Sequence, residues 1–446
     1  MNIDVGLATA LLFGALFLVL ATGLPVVFVI GGLVVFYTVL LFGLSATLSI
    51  FLNIFSQFRS QTLLAGPLFI MMATILQYSG IADDAYEMSY KWMSGLRGGL
   101  AMGTVIVCTI FAAMTGTSGA ATLTMGLIAI PSMLKRGYNK HLATGCVATG
   151  GVLGIVIPPS IIMIIYGVVT HESVGKLFMG GVIPGLICSF IYITYIGIRC
   201  WRNADLGPPL PSEDRATWKE KFISLRGVIL PLILIILVLG VIYLGVATPT
   251  EAAAVGAFGA FVCTAIHGKF SWALIKKVAF QTLRLTAMIY WVLGAALAFG
   301  NLYTWVGAKE WLETIVTALG ASPWAILIIM QLSLFLFGCV MDDYAVVMIC
   351  APIYVPIIEA LGFNTLWFGI LFILNMQIAY LTPPYGFNLF FLRGISPQIK
   401  EQSGVELTTG DLYRAVAPFI PLQVLGLALV MIFPQLVLWL PSMMMK

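Results

Sequence analysis

Residues 154–160 read Gly154-Ile155-Val156-Ile157-Pro158-Pro159-Ser160, and residues 381–385 read Leu381-Thr382-Pro383-Pro384-Tyr385, each inside a long apolar run. A proline has no N–H to donate to a helix and pushes the residue before it off α geometry. The runs at about 142–170 and 365–393 are therefore predicted to be discontinuous helices. The two Pro-Pro pairs lie 225 positions apart, and the same offset carries Pro131 onto Pro356, Gly137 onto Gly362 and Asn139 onto Asn364; Pro25 meets Pro249 at offset 224. With 21 prolines in 446 residues, such coincidence points to a duplicated unit.

Composition sets the medium in which that unit folds. Hydrophobic residues make up 61% and charged residues 9% of the chain, with a mean hydropathy of +1.05, far from the balance of a soluble domain. A net charge of +4 does not indicate nucleic acid, because the basic residues sit in short loops between apolar runs. The seven cysteines form no C-x-x-C pair and read as small core residues, without a disulfide framework or zinc site. The first ten residues carry Asp4 and no Lys or Arg, so they lack the basic start of a signal peptide and are read as opening the first spanning helix.

Apolar runs fall near 5–21, 24–43, 61–79, 98–134, 142–170, 176–199, 225–246, 250–267, 284–301, 323–358, 365–393 and 415–440. The run at 98–134 is too long for one span and carries Thr115-Gly116-Thr117-Ser118-Gly119 at its centre. A glycine-rich turn after about 17 residues of helix describes a re-entrant hairpin, and 323–358 is its counterpart. The chain is thus expected to be an all-α polytopic membrane protein. Residues 1–200 form the first repeat, 201–223 a polar linker and 224–446 the second repeat, each unit with a hairpin and a broken helix. Five crossings per unit would invert the second unit relative to the first. With the N-terminus outside, 18 Lys and Arg fall on the cytoplasmic side and only Arg59, Lys176, Lys309 and Lys446 outside. The segments 81–91 and 271–277 mix charge with aromatic residues and are expected as interfacial arms.

Irregular backbone at membrane depth leaves polar groups that cost several kcal/mol each unless they serve a cavity. Helix ends with free carbonyls attract a cation, and ends with free N–H groups attract an anion. One cavity can hold Na⁺ beside an anionic substrate. Candidate Na⁺ ligands at the first site are Thr115, Gly116, Thr117, Ser118, Gly154, Val156 and Pro159; at the second they are Gly338, Met341, Asp342, Thr382 and Pro384. Candidate substrate contacts are Ser118, Gly119, Ser160, Asp343 and Tyr385. An intramembrane Asp costs about 2.5–3.5 kcal/mol on the insertion scale, which makes a role for Asp342 or Asp343 the default expectation. Asp343 could also simply cap the following half-helix, a common job for Asp. Glu251 is expected to cap its helix or face water.

At this point the residues resemble a known family, the large membrane subunit of the tripartite ATP-independent periplasmic (TRAP) transporters. The matching segments are Pro131-Ser132-Met133-Leu134-Lys135-Arg136-Gly137-Tyr138, Ile157-Pro158-Pro159-Ser160, Ala247-Thr248-Pro249-Thr250-Glu251-Ala252, Met341-Asp342 and Leu381-Thr382-Pro383-Pro384. The resemblance implies an elevator-type transporter of the ion-transporter-superfamily kind in the bacterial inner membrane, driven by Na⁺. It also implies two partners, a periplasmic substrate-binding protein and a small four-helix membrane subunit, and a small organic anion as cargo. Many family members carry an Asp just after the first tip, where this chain has Gly119-Ala120-Ala121-Thr122; a monoanionic carboxylate or sulfonate is the expected class.

Three other readings compete. H⁺ coupling would run through a protonating Asp342. A channel could also use discontinuous helices. Gly116-Thr117-Ser118-Gly119 matches the G-x-S-G of intramembrane serine proteases, but that chemistry needs a histidine beside Ser118. The three histidines, His141, His171 and His267, fall at expected span ends, and the repeat partner of Ser118 is Asp343.

Overall fold

The computed structural model describes residues 4–444 apart from 21, 212, 214, 319 and 385; at 17, 62, 309, 313, 316 and 317 it describes the backbone alone. Among the described residues the chain is helical throughout, with no strand. The first half holds α1 (Val5–Leu20), α2 (Val26–Phe42), α3 (Leu44–Phe58), α4 (Gln61–Tyr78), α5 (Ile81–Met93), α6 (Gly99–Thr115), α7 (Ser118–Lys135), α8 (Lys140–Val152), α9 (Ile161–Thr170) and α10 (Val174–Arg202). After the short linker helix α11 (Trp218–Ser224) come α12 (Arg226–Tyr243), α13 (Pro249–Ile266), α14 (Trp272–Trp305), α15 (Ala308–Ala318), α16 (Pro323–Gly338), α17 (Asp343–Ala360), α18 (Thr365–Ala379), α19 (Phe387–Ser403), α20 (Thr409–Val416), α21 (Ile420–Ile432) and α22 (Gln435–Ser442).

Residues matched at offset 225 do the same local work. Gly137 and Gly362 both close a helix with positive φ, 78° and 76°, a conformation that costs a side chain about 1–2 kcal/mol. Asn139 then caps α8, its side chain accepting from the N–H groups of His141 and Leu142. Asn364 caps α18 in the same way, accepting from Trp367 N–H at 3.0 Å. Pro131 and Pro356 sit inside α7 and α17, and both Pro-Pro bonds, Pro158-Pro159 and Pro383-Pro384, are cis.

The two halves differ where one chain bends and the other does not. In the first, α3 and α4 meet at an angle of 55°; in the second, the corresponding stretch is the single 34-residue α14. The segment 271–277, expected as a separate arm, is the first turns of this helix: Ser271 caps it, accepting from Leu274 N–H, and no proline interrupts it. Helix α5 does stand alone as an amphipathic segment with Ile81, Ala82, Ala85 and Tyr86 on its buried face. Helices α3 and α15 lie outside the expected apolar runs because polar residues such as Ser49, Asn53 and Ser56 interrupt the run while leaving a helical period. The second broken helix continues through α19 to Ser403, ten residues beyond the expected end.

Helices α10, α12, α13, α14 and α17 and the stretch 409–432 are long and apolar enough to cross a bilayer, and the bent α3–α4 pair makes a seventh candidate. The expected spans at 5–21 and 24–43 form α1 and α2, of 16 and 17 residues. At 1.5 Å per residue these reach about 25 Å, short of a bilayer core of about 30 Å.

Packing sorts the helices into two groups, which meet where α4 lies on α6 and α9 and α14 lies on α17. In one, α13 lies on α4 and α12, and α14 lies on α2 and α4. In the other, the hairpins and broken helices pack crosswise: α7 from the first half lies on α19 from the second, and α17 from the second lies on α9 from the first. The Asn388 side chain reinforces this crossing by donating to the Ala148 carbonyl at 3.1 Å. Helices α10, α21 and α22, read in the sequence as ordinary spans, belong with the hairpins. Helix α10 packs on α6 and α22, and α18 on α21, joined by Thr109 to Ser189 at 2.7 Å, Gln377 to Tyr192 at 2.7 Å and Trp367 Nε1 to the Val430 carbonyl at 3.0 Å. Such bonds satisfy side chains that hydrocarbon would otherwise leave unpaired.

Candidate functional site

Helix α6 ends at Thr115 because Gly116 takes φ +62° and turns the chain into α7 two residues later. The hairpin tip then docks onto the first break. The Gly116 carbonyl accepts from Ile161 N–H at 3.2 Å, and a Cβ on Gly116 would lie 2.5 Å from the Pro159 carbonyl oxygen. A Cβ on Gly154 would lie 2.6 Å from the Thr117 carbonyl oxygen. Glycine at both positions lets backbone approach backbone, which gathers the Thr117 and Pro159 carbonyls around the tip.

Beside this junction lies a cavity of about 310 Å³, at the small end of ligand pockets. Thr115, Gly116, Thr117, Ser118 and Gly119 line it from the first hairpin, and Asp343 and Tyr344 line it from the second. Tyr380 and Phe391, on either side of the second break, also face it, and Gln77 of α4 and Gln281 of α14 close it from the other helix group. Among the described lining residues there is no Lys, Arg or His, and Asp343 is the one carboxylic acid. Asp343 is 3% exposed; its N–H donates to the Tyr380 hydroxyl at 3.4 Å and its carboxylate accepts from Tyr344 N–H at 3.0 Å.

The remaining expected residues are distributed as follows. Ser160 turns its hydroxyl back to donate to the Ile155 carbonyl at 2.8 Å, so it supports the break from within. The Val156 carbonyl lies against Gly181 of α10. At the second tip the capping considered for Asp343 falls to its neighbour, and the substrate-facing place expected of Asp343 is the one it takes. Asp342 is the N-cap, accepting from Ala345 N–H at 3.2 Å, and Asp343 is the one that faces the cavity. Gly338 is where α16 closes on Ala379 and Met376 of α18, Met341 donates its N–H to the Phe337 carbonyl at 2.8 Å, and Thr382 donates its hydroxyl to the Ile378 carbonyl at 2.8 Å. Pro384 is exposed, and Tyr385 lies outside the described residues. The cavity thus collects the first hairpin's set but only Asp343 of the second.

Gln77 and Gln281 escaped the sequence reading; Gln77 is an uncharged amide near the end of an apolar run, and Gln281 stands just before one, between Lys277 and Arg284. Glu251 forms a capping box with Thr248, each side chain bonding the other's backbone N–H, in line with a capping role. No histidine lines the cavity. His141 is 3.2 Å from Asp411, His267 bonds the Cys263 carbonyl at 2.8 Å, and His171 ends α9 in a left-handed turn. Ser118 therefore has no base to make it a nucleophile. No cluster of three His, Cys, Asp or Glu occurs among the described residues; a site built of carbonyl and hydroxyl oxygens would suit a hard cation.

Residues 13–436 match the family described as tripartite ATP-independent periplasmic transporter, DctM component. The C4-dicarboxylate TRAP transporter large permease protein DctM of Pseudomonas aeruginosa is 34% identical over 91% of this chain and 92% of its own. The isethionate TRAP transporter permease protein DctMQ of Oleidesulfovibrio alaskensis is 31% identical over 91% of this chain but 63% of its own. Among solved structures, the Neisseria gonorrhoeae efflux pump MtrF superposes with a TM-score of 0.63 over 89% of this chain and 85% of its own, at 13% identity, a likeness of fold alone. Cavity, helical architecture and sequence agree: the chain belongs to the TRAP transporter family as a large membrane permease, the DctM component, a multi-pass transport protein and not an enzyme.

Proposed function

We propose that this permease imports a small organic anion in symport with Na⁺ by an elevator movement. The cargo would be delivered by a periplasmic substrate-binding protein, with a small four-helix membrane subunit bound to the fixed helices. The observation that carries the reading is the single cavity into which the first hairpin tip and Asp343 of the second both face, between two groups of helices that meet where α4 lies on α6 and α9 and α14 lies on α17. The crosswise group of hairpins and broken helices is the part that moves, and α4 and α14, with Gln77 and Gln281, are the wall it moves against. Na⁺ is held by carbonyl and hydroxyl oxygens at the tips, with the Thr117 and Pro159 carbonyls supporting the first site. The two halves are inverted in the inner membrane, the N-terminus periplasmic and the linker cytoplasmic, as the distribution of basic residues argues. Relatives named for C4-dicarboxylate and isethionate support organic acids as cargo.

The test is uptake into proteoliposomes holding this chain and its small partner, with labelled organic acid loaded on the binding protein. Accumulation should require both the binding protein and an inward Na⁺ gradient. Uptake that persists without Na⁺ and follows a pH gradient would replace Na⁺ by H⁺, with a hairpin-tip carboxylate as carrier. Ion flux without substrate would indicate a channel. Cross-linking a hairpin to α4 or α14 should abolish uptake, and full activity in the locked protein would exclude the movement.

A further inference from the structure

The two hairpin tips present opposite chemistry to one cavity. Helix α7 opens with no side-chain cap on its first N–H groups and no acid in its first turn, so its end carries about half a positive charge toward the cavity. The Ser118 hydroxyl beside it is 4% exposed, lines the cavity and has no partner among the described residues. Helix α17 is the reverse: Asp342 caps its N-terminus, which answers its dipole, and Asp343 turns a further carboxylate into the cavity. With no basic residue among those that line the space, no side chain there answers a second negative charge on the cargo.

Resting on the transport reading above, and narrowing its organic acid to one that also carries a cationic group, we propose that the cargo is amphoteric. It carries one carboxylate or sulfonate, which takes the α7 N-terminus and the Ser118 hydroxyl, and one ammonium or amidinium group, which faces Asp343. A dicarboxylate anchored at Ser118 would bring its far end to Asp343, and like charge brought together in a buried site costs several kcal/mol. Gln77 and Gln281 can serve either polarity, since an amide both donates and accepts, and so do not set the class.

Three probes of one length isolate the far end: succinate, butyrate and 4-aminobutyrate. Binding to the full chain with its small subunit in lipid nanodiscs, in Na⁺ buffer, is measured by titration calorimetry. 4-Aminobutyrate should bind about tenfold or more tighter than succinate, with butyrate between them. Asp343→Asn, which keeps the size of the side chain, should bring 4-aminobutyrate down to butyrate and raise succinate. Ser118→Ala should weaken all three alike, because it meets the carboxylate they share. Tighter succinate binding in the native chain, no binding of 4-aminobutyrate at any concentration tested, or an unchanged order in folded Asp343→Asn would each overturn the proposal. Na⁺-driven uptake with the binding protein, run on the same preparation, decides the transport reading separately: it can stand while the amphoteric class falls.

Discussion

Replacing Gly116 by Ala tests whether the junction of the first tip and the first break sets cation affinity. At φ +62° an alanine costs about 1–2 kcal/mol, and its Cβ would stand 2.5 Å from the Pro159 carbonyl oxygen, an overlap worth about 1–3 kcal/mol in a packed interior. Lower chain entropy in the unfolded state returns about 0.4–1 kcal/mol, leaving roughly 2–4 kcal/mol. The neighbour cannot swing aside as a side chain would, because both groups are backbone and Ile161 N–H holds the Gly116 carbonyl at 3.2 Å. The strain is relieved by parting tip from break, which spreads the carbonyls proposed to hold Na⁺. At about 1.4 kcal/mol per tenfold, the Na⁺ concentration for half-maximal uptake should rise at least tenfold, read from initial rates in proteoliposomes. Gly14→Ala in α1, where a Cβ meets nothing within 4 Å, should leave that curve unchanged. A Gly116→Ala protein with the native Na⁺ curve and native melting temperature would refute the reasoning.

Thr248→Ala removes the capping box of α13 and should lower stability by about 1 kcal/mol, seen in detergent melts, while uptake per folded molecule stays the same. Gly126→Leu pushes into Ile395 and Leu392 of α19, which a Cβ there would already meet at 2.5 and 3.2 Å; overpacking of about 1–3 kcal/mol should separate α7 from α19 and abolish uptake, whereas Gly126→Ala, meeting only side-chain ends, should keep part of it. Asp411→Ala removes the partner of Lys140 at 2.7 Å and the capping box that Asp411 forms with Thr408 at the start of α20, and should cost about 1–2 kcal/mol. Asp411→Asn should recover part of that in the same melt, since it keeps an acceptor.

The irregular parts of this fold were the most legible in its sequence. Gly116 and the Pro-Pro pairs break a helix by covalent geometry, so hairpins and breaks could be placed before any packing was known. The offset of 225 then paired Gly362 with Gly137 and Asn364 with Asn139, pairs that the fold puts to the same capping work. Apolar runs served less well for α3, α14 and α15: whether 44–78 bends and 272–305 stays straight is decided by what each helix lies against, and residue types alone do not contain it. The same limit applied at the site. Which of Asp342 and Asp343 caps and which faces the cavity depends on one residue of helical register, about 100° of rotation. Gln77 and Gln281 reach the cavity from helices distant in sequence, and only the folded arrangement brings them there.

The crossing of α7 with α19 has a consequence for biogenesis. The face of α7 that the finished protein buries is synthesised 269 residues before its partner begins at Phe387. At about 5–20 residues per second, the interval is roughly 15–50 s. During it, the first hairpin, with its small residues and uncovered hydroxyls, must wait in or beside the translocon. The first half made alone has no surface against which to finish folding, so the two halves expressed as separate chains should accumulate only when both are present in the same cell.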